Sequence, residues 1–263
     1  MSKDIQPLLD AWLYDAGQLC VRKITGEDGS EKIQLRIEMG MLQMDVTGRP
    51  DGQRPHGFES LFHYYQHQAK KTKPKDGKKA FVLDPETCMN LQIEALQYYH
   101  RRISFLELGE YQNAREDAQR NLDLFDFVKD YAEDEEDKLA MEQYRPFVIG
   151  HRVRADVLLE LENGDYGHAL EHIDGGIEEI QAFFQEFDRL DLLDENEEII
   201  FLQEWADEIR QEQPKSPSQD LKDQLKEAVA LEEFERAAIL RDRLQDLDTR
   251  KSRTPEAKSV DNV

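Results

Sequence analysis

Ile103-Ser104-Phe105-Leu106-Glu107-Leu108-Gly109-Glu110-Tyr111-Gln112-Asn113-Ala114 and Leu158-Leu159-Glu160-Leu161-Glu162-Asn163-Gly164-Asp165-Tyr166-Gly167-His168-Ala169 stand 55 residues apart. Glycine, acid, tyrosine and alanine recur in the two segments at identical spacing. The physical reading is two helical hairpins. In each, the glycine ends a first helix, because it reaches the left-handed backbone region of a tight turn at no steric cost. The tyrosine then packs in the corner, and the alanine lets the second helix come close. Outward from these turns the chain reads as helical over residues 84–213.

The Gly, acid, Tyr and downstream Ala of both segments resemble the turn of the tetratricopeptide repeat. Three departures accompany the likeness. The spacing is 55 residues against the family's 34, the position four after the alanine is Ala118 or Ile173 in place of an aromatic, and two copies are fewer than a solenoid needs. The resemblance implies long tetratricopeptide-like hairpins and no superhelix.

Ahead of them, residues 1–69 read as a β-rich module. Gln18 to Thr25 and Lys32 to Glu38 are Val/Ile/Leu-bearing runs around Gly26-Glu27-Asp28-Gly29-Ser30, a hairpin signature, and Met41 to Thr47 extends the pair into a meander. The Gly/Pro-rich stretch from Gly48 to Gly57 excludes regular structure, and Phe58 to Gln68 reads as a short aromatic helix. Six lysines among residues 70–79 place a solvated linker at 70–83.

Beyond a breaker-rich linker at 214–218, Ser216 suits a helix cap, with Pro217 at the first helical position and Gln219 three residues on from the cap. Two apolar stripes follow, Leu221, Leu225 and Ala228/Val229, then Phe234, Ala237, Ala238, Arg241 and Leu244. They predict a helical hairpin over 219–250 and a disordered tail at 251–263. The series Leu225, Ala228, Val229, Glu232, Phe234, Glu235, Ala237, Ala238, Arg241, Asp242 resembles the UVR motif, found at the end of the excision-repair protein UvrB, within UvrC, and in McsA-type and ClpC-type stress proteins. That resemblance implies a protein-docking element, with Leu225, Val229, Phe234, Ala237, Ala238, Arg241 and Leu244 as the docking residues. Phe234 is expected to plug the hairpin end, and both alanines to permit close helix crossing. The chain as a whole resembles a family of bacterial proteins carrying the UvrB/UvrC motif. The segments behind this are Ile33-Gln34-Leu35-Arg36, Gly40 to Met44, Gly48 to Gly52, Gln143 to Phe147 and the carboxyl-terminal hairpin. It implies an architecture and no particular activity.

The fold class is therefore α+β and mainly α, with a small amino-terminal β-meander, tetratricopeptide-like hairpins and a UVR hairpin. Among 263 residues, 57 acidic side chains face 34 basic ones, for a net charge of −23. An anionic body repels phosphate backbones, so nucleic acid is the less favoured partner and a protein, including another UVR-type hairpin or a second copy, the favoured one. No apolar run suits a membrane span and no signal peptide is recognised, so the expected location is cytoplasmic. Cys20 and Cys88 exclude a disulfide scaffold. There is no GxxxxGK[ST] loop, GxSxG elbow or GxGxxG fingerprint, so no enzyme, cofactor or resident metal is expected.

Two patterns carry alternatives. His168-Ala-Leu-Glu171-His172 matches a zinc pattern, against packing explained by Ala169 and Ile173, and His63 and His67 form a similar pair on an aromatic helix edge. Arg49, Arg54 and His56, on a glycine-rich loop, are candidates to hold an anionic ligand or nucleic acid in a repair or stress-response accessory role. In the other reading of the loop, Asp51 pairs with Arg49 or Arg54 and locks a long turn. The favoured function is a non-enzymatic adaptor.

Overall fold

Ile33, Leu35 and Ile37 alternate with Lys32, Gln34 and Arg36, the period of two that buries one face of a strand. In the computed structural model, which describes residues 4–72, 81–214 and 217–251, this stretch is the central strand of an antiparallel sheet. A short helix, α1 (Gln6–Asp10), precedes β1 (Cys20–Thr25), β2 (Glu31–Ile37) and β3 (Gly40–Asp45), paired in that order. The register sets Lys23 and Met44 on either side of Ile33, and Leu42 beside Leu35. Ile33, Leu35 and Met44 are buried together with Phe105, Ala114 and Ala155 of the helices. The other face is closed by polar groups: Arg36 donates to the carbonyls of Trp12 (3.0 Å) and Gly40 (2.9 Å), and Arg22 lies 4.1 Å over the Trp12 ring.

A 3-10 turn at Pro55–Gly57 leads to α2 (Leu61–Lys71). Then follow α3 (Pro85–Glu107), α4 (Tyr111–Tyr131), α5 (Glu135–Glu142), α6 (Arg145–Glu162), α7 (Tyr166–Glu186), a second 3-10 stretch at Leu190–Glu195, and α8 (Glu197–Glu212). Helices α3, α4, α6 and α7 pack each on the next. Both repeated turns close alike. Gly109 and Gly164 each have φ +73°, and the next amide reaches back five residues, from Glu110 to Phe105 O and from Asp165 to Glu160 O, each 2.9 Å. Ala114 and Ala169 are fully buried, while Tyr111 and Tyr166 pack partly buried beside them. The turn after α7 has the same form with Asp188 at φ +54° and Arg189 N–H bonded to Phe184 O at 2.8 Å. Leu83 pairs its backbone with Tyr131 O (2.8 Å) and Glu133 N (3.1 Å), tying the entry of α3 to the exit of α4.

Several sequence expectations need adjustment. Residues 1–209 form one compact unit, so 1–69 and 84–213 are not separate bodies; the sheet lacks a second layer of its own and takes Phe105, Ala114 and Ala155 instead. The aromatic helix starts at Leu61, because Ser60 accepts the His63 N–H at 3.2 Å and caps it there, leaving Phe58 extended. Lys70 and Lys71 form its last turn, and at the far end of the expected 70–83 linker Leu83 is buried in the main core with Phe81 packed against it. Residues 73–80, Ser216 and residues 252–263 lie outside the described residues. A second unit begins at Arg210 and contains α9 (Pro217–Ala230) and α10 (Phe234–Lys251), so the second hairpin helix reaches the first residue of the expected tail.

Two adjacent glycines in α7 give opposite predictions. A Cβ on the buried Gly176 would collide with the Val153 side chain of α6, whereas one on the exposed Gly175 meets nothing within 4 Å. Gly176→Ala should destabilise by about 1–3 kcal/mol through overpacking. Gly175→Ala should stabilise by roughly 0.5–1 kcal/mol through helix propensity. Urea unfolding of the two variants checks the pair, and a shift of the same sign in both would contradict the α6–α7 packing described.

Candidate functional site

The carboxyl-terminal hairpin is built on very little apolar volume. Among the described side chains, Ala228, Ala237 and Leu240 are its buried residues, with Leu221 and Leu225 packed partly buried against them. The small side chains Ala228 and Ala237 are what let α9 and α10 approach closely. The turn between them repeats the form seen in the body, Glu233 N–H bonding Ala228 O at 2.8 Å, but the left-handed residue is Glu232 at φ +61°. A residue with a Cβ is strained there by about 1–2 kcal/mol.

The expected docking residues divide between the hairpin core and its surface. Ala237 belongs to the core, and Leu225 and Leu244 are partly buried. Val229, Phe234, Ala238 and Arg241 are exposed, and Arg241 pairs with its neighbour Asp242 at 3.1 Å. Phe234, Ala238 and Arg241 recur at i, i+4 and i+7 and so share one face of α10. Phe234 does not plug the hairpin end: it is 69% exposed and stands outside the cluster of Ala228, Ala237 and Leu240. Ala238 is exposed, so the helix crossing uses Ala237 alone of the two adjacent alanines. Leu231 and Ile239, which the stripe reading omitted, add exposed apolar surface, and Leu240 takes the core place three residues after Ala237 that the helical period offers.

The Arg/Pro/Gly loop is anchored inward. Arg49 lies 3.4 Å from Asp51 and 3.3 Å from Glu94, its side chain 10% exposed, while Arg54 and His56 face solvent. His56 stacks on Tyr64 at 4.1 Å. Of the three anion-binding candidates, Arg49 therefore meets carboxylates of the chain itself.

Glu94 is fully buried on α3 and gathers four elements. It accepts the amides of Leu61 (2.8 Å) and Phe62 (3.1 Å) at the start of α2, pairs with Arg120 of α4 and meets Arg49 of the loop. Two turns along α3, Arg101 forms a two-bond fork with Asp117 (2.8 and 2.7 Å) and donates to the carbonyls of Asp45 (3.0 Å), at the end of β3, and Gly48 (2.7 Å) beyond it. Arg120 also stacks on Tyr98 at 3.8 Å. Arg102, beside them, donates through Nε to His151 Nδ1 at 3.2 Å. Burial, with help from Arg102 and Arg154, pushes the His151 imidazole down to about 3, so it is neutral and can accept that bond.

The histidine patterns resolve into local pairs. Glu160, Asp165 and His168 bring ligand atoms within 4.8 Å of one another, in place of the His168, Glu171 and His172 set of the sequence pattern. Asp165 caps α7 through the His168 N–H (3.1 Å) and bonds the His168 ring at 2.7 Å, while His172 Nε2 lies 3.7 Å from Glu160. The His63 ring bonds the Ser60 hydroxyl at 2.9 Å, and His67 packs on Phe58. Both cysteines are free, and burial, with nearby Asp137 and Asp84, pushes the Cys88 thiol up to about 12.

Comparison with known families matches residues 219–250 to the UvrB/uvrC motif, UVR. In UvrB and UvrC this motif mediates protein–protein interaction. No curated protein matches the chain, and no solved structure does. Among the described residues, no helix is long and apolar enough to cross a membrane.

His151 carries a pH prediction. Its folded-state value is depressed below the ordinary 6.5, so the unfolded chain binds the proton more readily and stability falls as pH drops from about 6.5 towards 3. His168, raised by its Asp165 hydrogen bond, acts in the opposite sense, its contribution being lost as pH rises above 6.5. His151→Gln should therefore flatten the decline between pH 6.5 and 5, above the main carboxylate range. Denaturant midpoints of both proteins across that window check this, and parallel curves would refute a neutral His151.

Proposed function

We propose that the chain is a non-enzymatic cytoplasmic adaptor whose UVR hairpin docks a partner protein. The observation that carries this reading is the exposure of Val229, Leu231, Phe234 and Ile239 on the segment that matches the motif. Four large apolar side chains on a hairpin whose buried core, among the described side chains, is two alanines and a leucine are a surface awaiting cover. By area bookkeeping, a core that small is also too weak to offset the ordering of some thirty residues, so a docked partner supplies stability as well as contact.

The partner is a second helical hairpin, of another protein or of another copy, laid across the face of Phe234, Ala238 and Arg241. Phe234 enters the partner as the aromatic anchor, and Arg241 pairs at the rim. The tetratricopeptide-like hairpins of the body hold a second client, which makes the chain a bridge.

The full chain, immobilised in cell lysate, should capture a partner that a chain ending at Gln213 does not. Phe234→Ala should weaken that capture by about 30-fold or more, the loss typical of an aromatic anchor, with unchanged helicity because the ring is exposed. Identical partners on all three baits would overturn the reading.

A further inference from the structure

Between α3, α4, α5 and α6 the body holds a partly open cavity of about 440 Å³, within the ~300–1,000 Å³ range of small-molecule sites. Its wall is apolar, with Ile93, Leu96, Phe125, Phe147 and Val148 among the lining residues. Ile93 and Leu96 are about half exposed, at 50% and 53%, so the apolar wall continues to the surface and marks the mouth. One cation stands in this wall. Arg102 is 1% exposed, and its Nη1 has no hydrogen-bond partner.

The neighbours that could neutralise Arg102 are already committed or neutral. Asp117 gives both oxygens to Arg101. His151 accepts from Nε as an uncharged ring. Glu198 is close enough to act through its charge, yet it forms no ion pair with Arg102 among the described residues. Tyr99 offers only its ring, 5.5 Å from the guanidinium carbon. Burial pushes the Arg102 guanidinium down to about 10, a measure of how poorly its charge is met. Leaving a charged donor buried and unbonded is costly; of the other buried arginines, Arg101 has the carboxylate of Asp117 and Arg36 a set of backbone carbonyls.

We infer that this cavity is a binding site for a small organic carboxylate with an apolar body, its carboxylate set against the Arg102 guanidinium in the wall and its apolar part filling the space towards Ile93 and Leu96. A guanidinium hydrogen-bonds a carboxylate strongly in such surroundings, and the apolar wall excludes the water that would compete. The body carries excess negative charge, so a free carboxylate is held by this local cation against the general field.

Octanoate, titrated into the full chain by calorimetry, is the probe, with octan-1-ol as its neutral counterpart. Octanoate should bind saturably and at least about tenfold more tightly than the alcohol, the preference a charged hydrogen bond gives. Arg102→Met should remove that preference. Leu96→Trp, which fills the mouth without touching a buried charge, should abolish binding of both compounds with unchanged circular dichroism, and it keeps the test decisive should Arg102→Met fail to fold. Absence of saturable octanoate binding, equal affinity for acid and alcohol, or full octanoate affinity in Leu96→Trp would each overturn the assignment.

Discussion

The body is organised around a carboxylate that has left water. Glu94 touches the start of α2, the loop after β3 and α4 at once, and it does so from a fully buried position. Taking a carboxylate out of water costs several kcal/mol unless charge and hydrogen bonds replace its hydration, and here two amides and two arginines do so. Because the penalty returns whenever any partner shifts, the arrangement fixes where the loop and α2 lie. Apolar packing alone tolerates sliding; an ion with directional partners does not. Arg101 extends the same logic to the sheet, whose last strand is held by carbonyl contacts to a guanidinium already forked onto Asp117. The buried ionic layer thus joins sheet and helices into one unit.

That layer is what sequence reasoning could not see. The paired Gly109 and Gly164 were legible because a left-handed turn leaves a compositional mark, and Ala114 and Ala169 because close approach requires a small side chain. The meander was legible from alternation around Gly26 and Gly29. Glu94, Arg101, Arg102, Asp117 and Arg120, in contrast, read as ordinary polar positions of amphipathic helices, since their burial depends on partners far along the chain. The same blindness made 1–69 look separate from 84–213. At the carboxyl end the motif was plain, but a hairpin this thin has surface on nearly every side. Apolar type there does not distinguish core from exposed face, hence the misplacement of Phe234.

The two units answer opposite demands. The body spends its polar residues on internal fixation and lines a cavity with an arginine that has no carboxylate partner among the described residues. The hairpin keeps almost nothing inside and presents its larger apolar side chains outward. A segment that must recognise a partner gains from such construction, because the surface it covers on docking is surface it did not bury on folding. The body's acidic charge adds solubility to a chain that displays these side chains.

Four helix-ending turns among the described residues share one geometry but not one residue. Gly109 and Gly164 fill the left-handed position in the first two, Asp188 and Glu232 in the later ones. Each non-glycine there raises the local backbone energy, so opening that turn releases strain that opening its glycine counterparts does not. The amides that close these turns will accordingly not trade hydrogen for deuterium at one common rate. Protection should decline from the turns at Gly109 and Gly164 to those at Asp188 and Glu232, so the hairpin that carries the UVR motif also carries a strained closure.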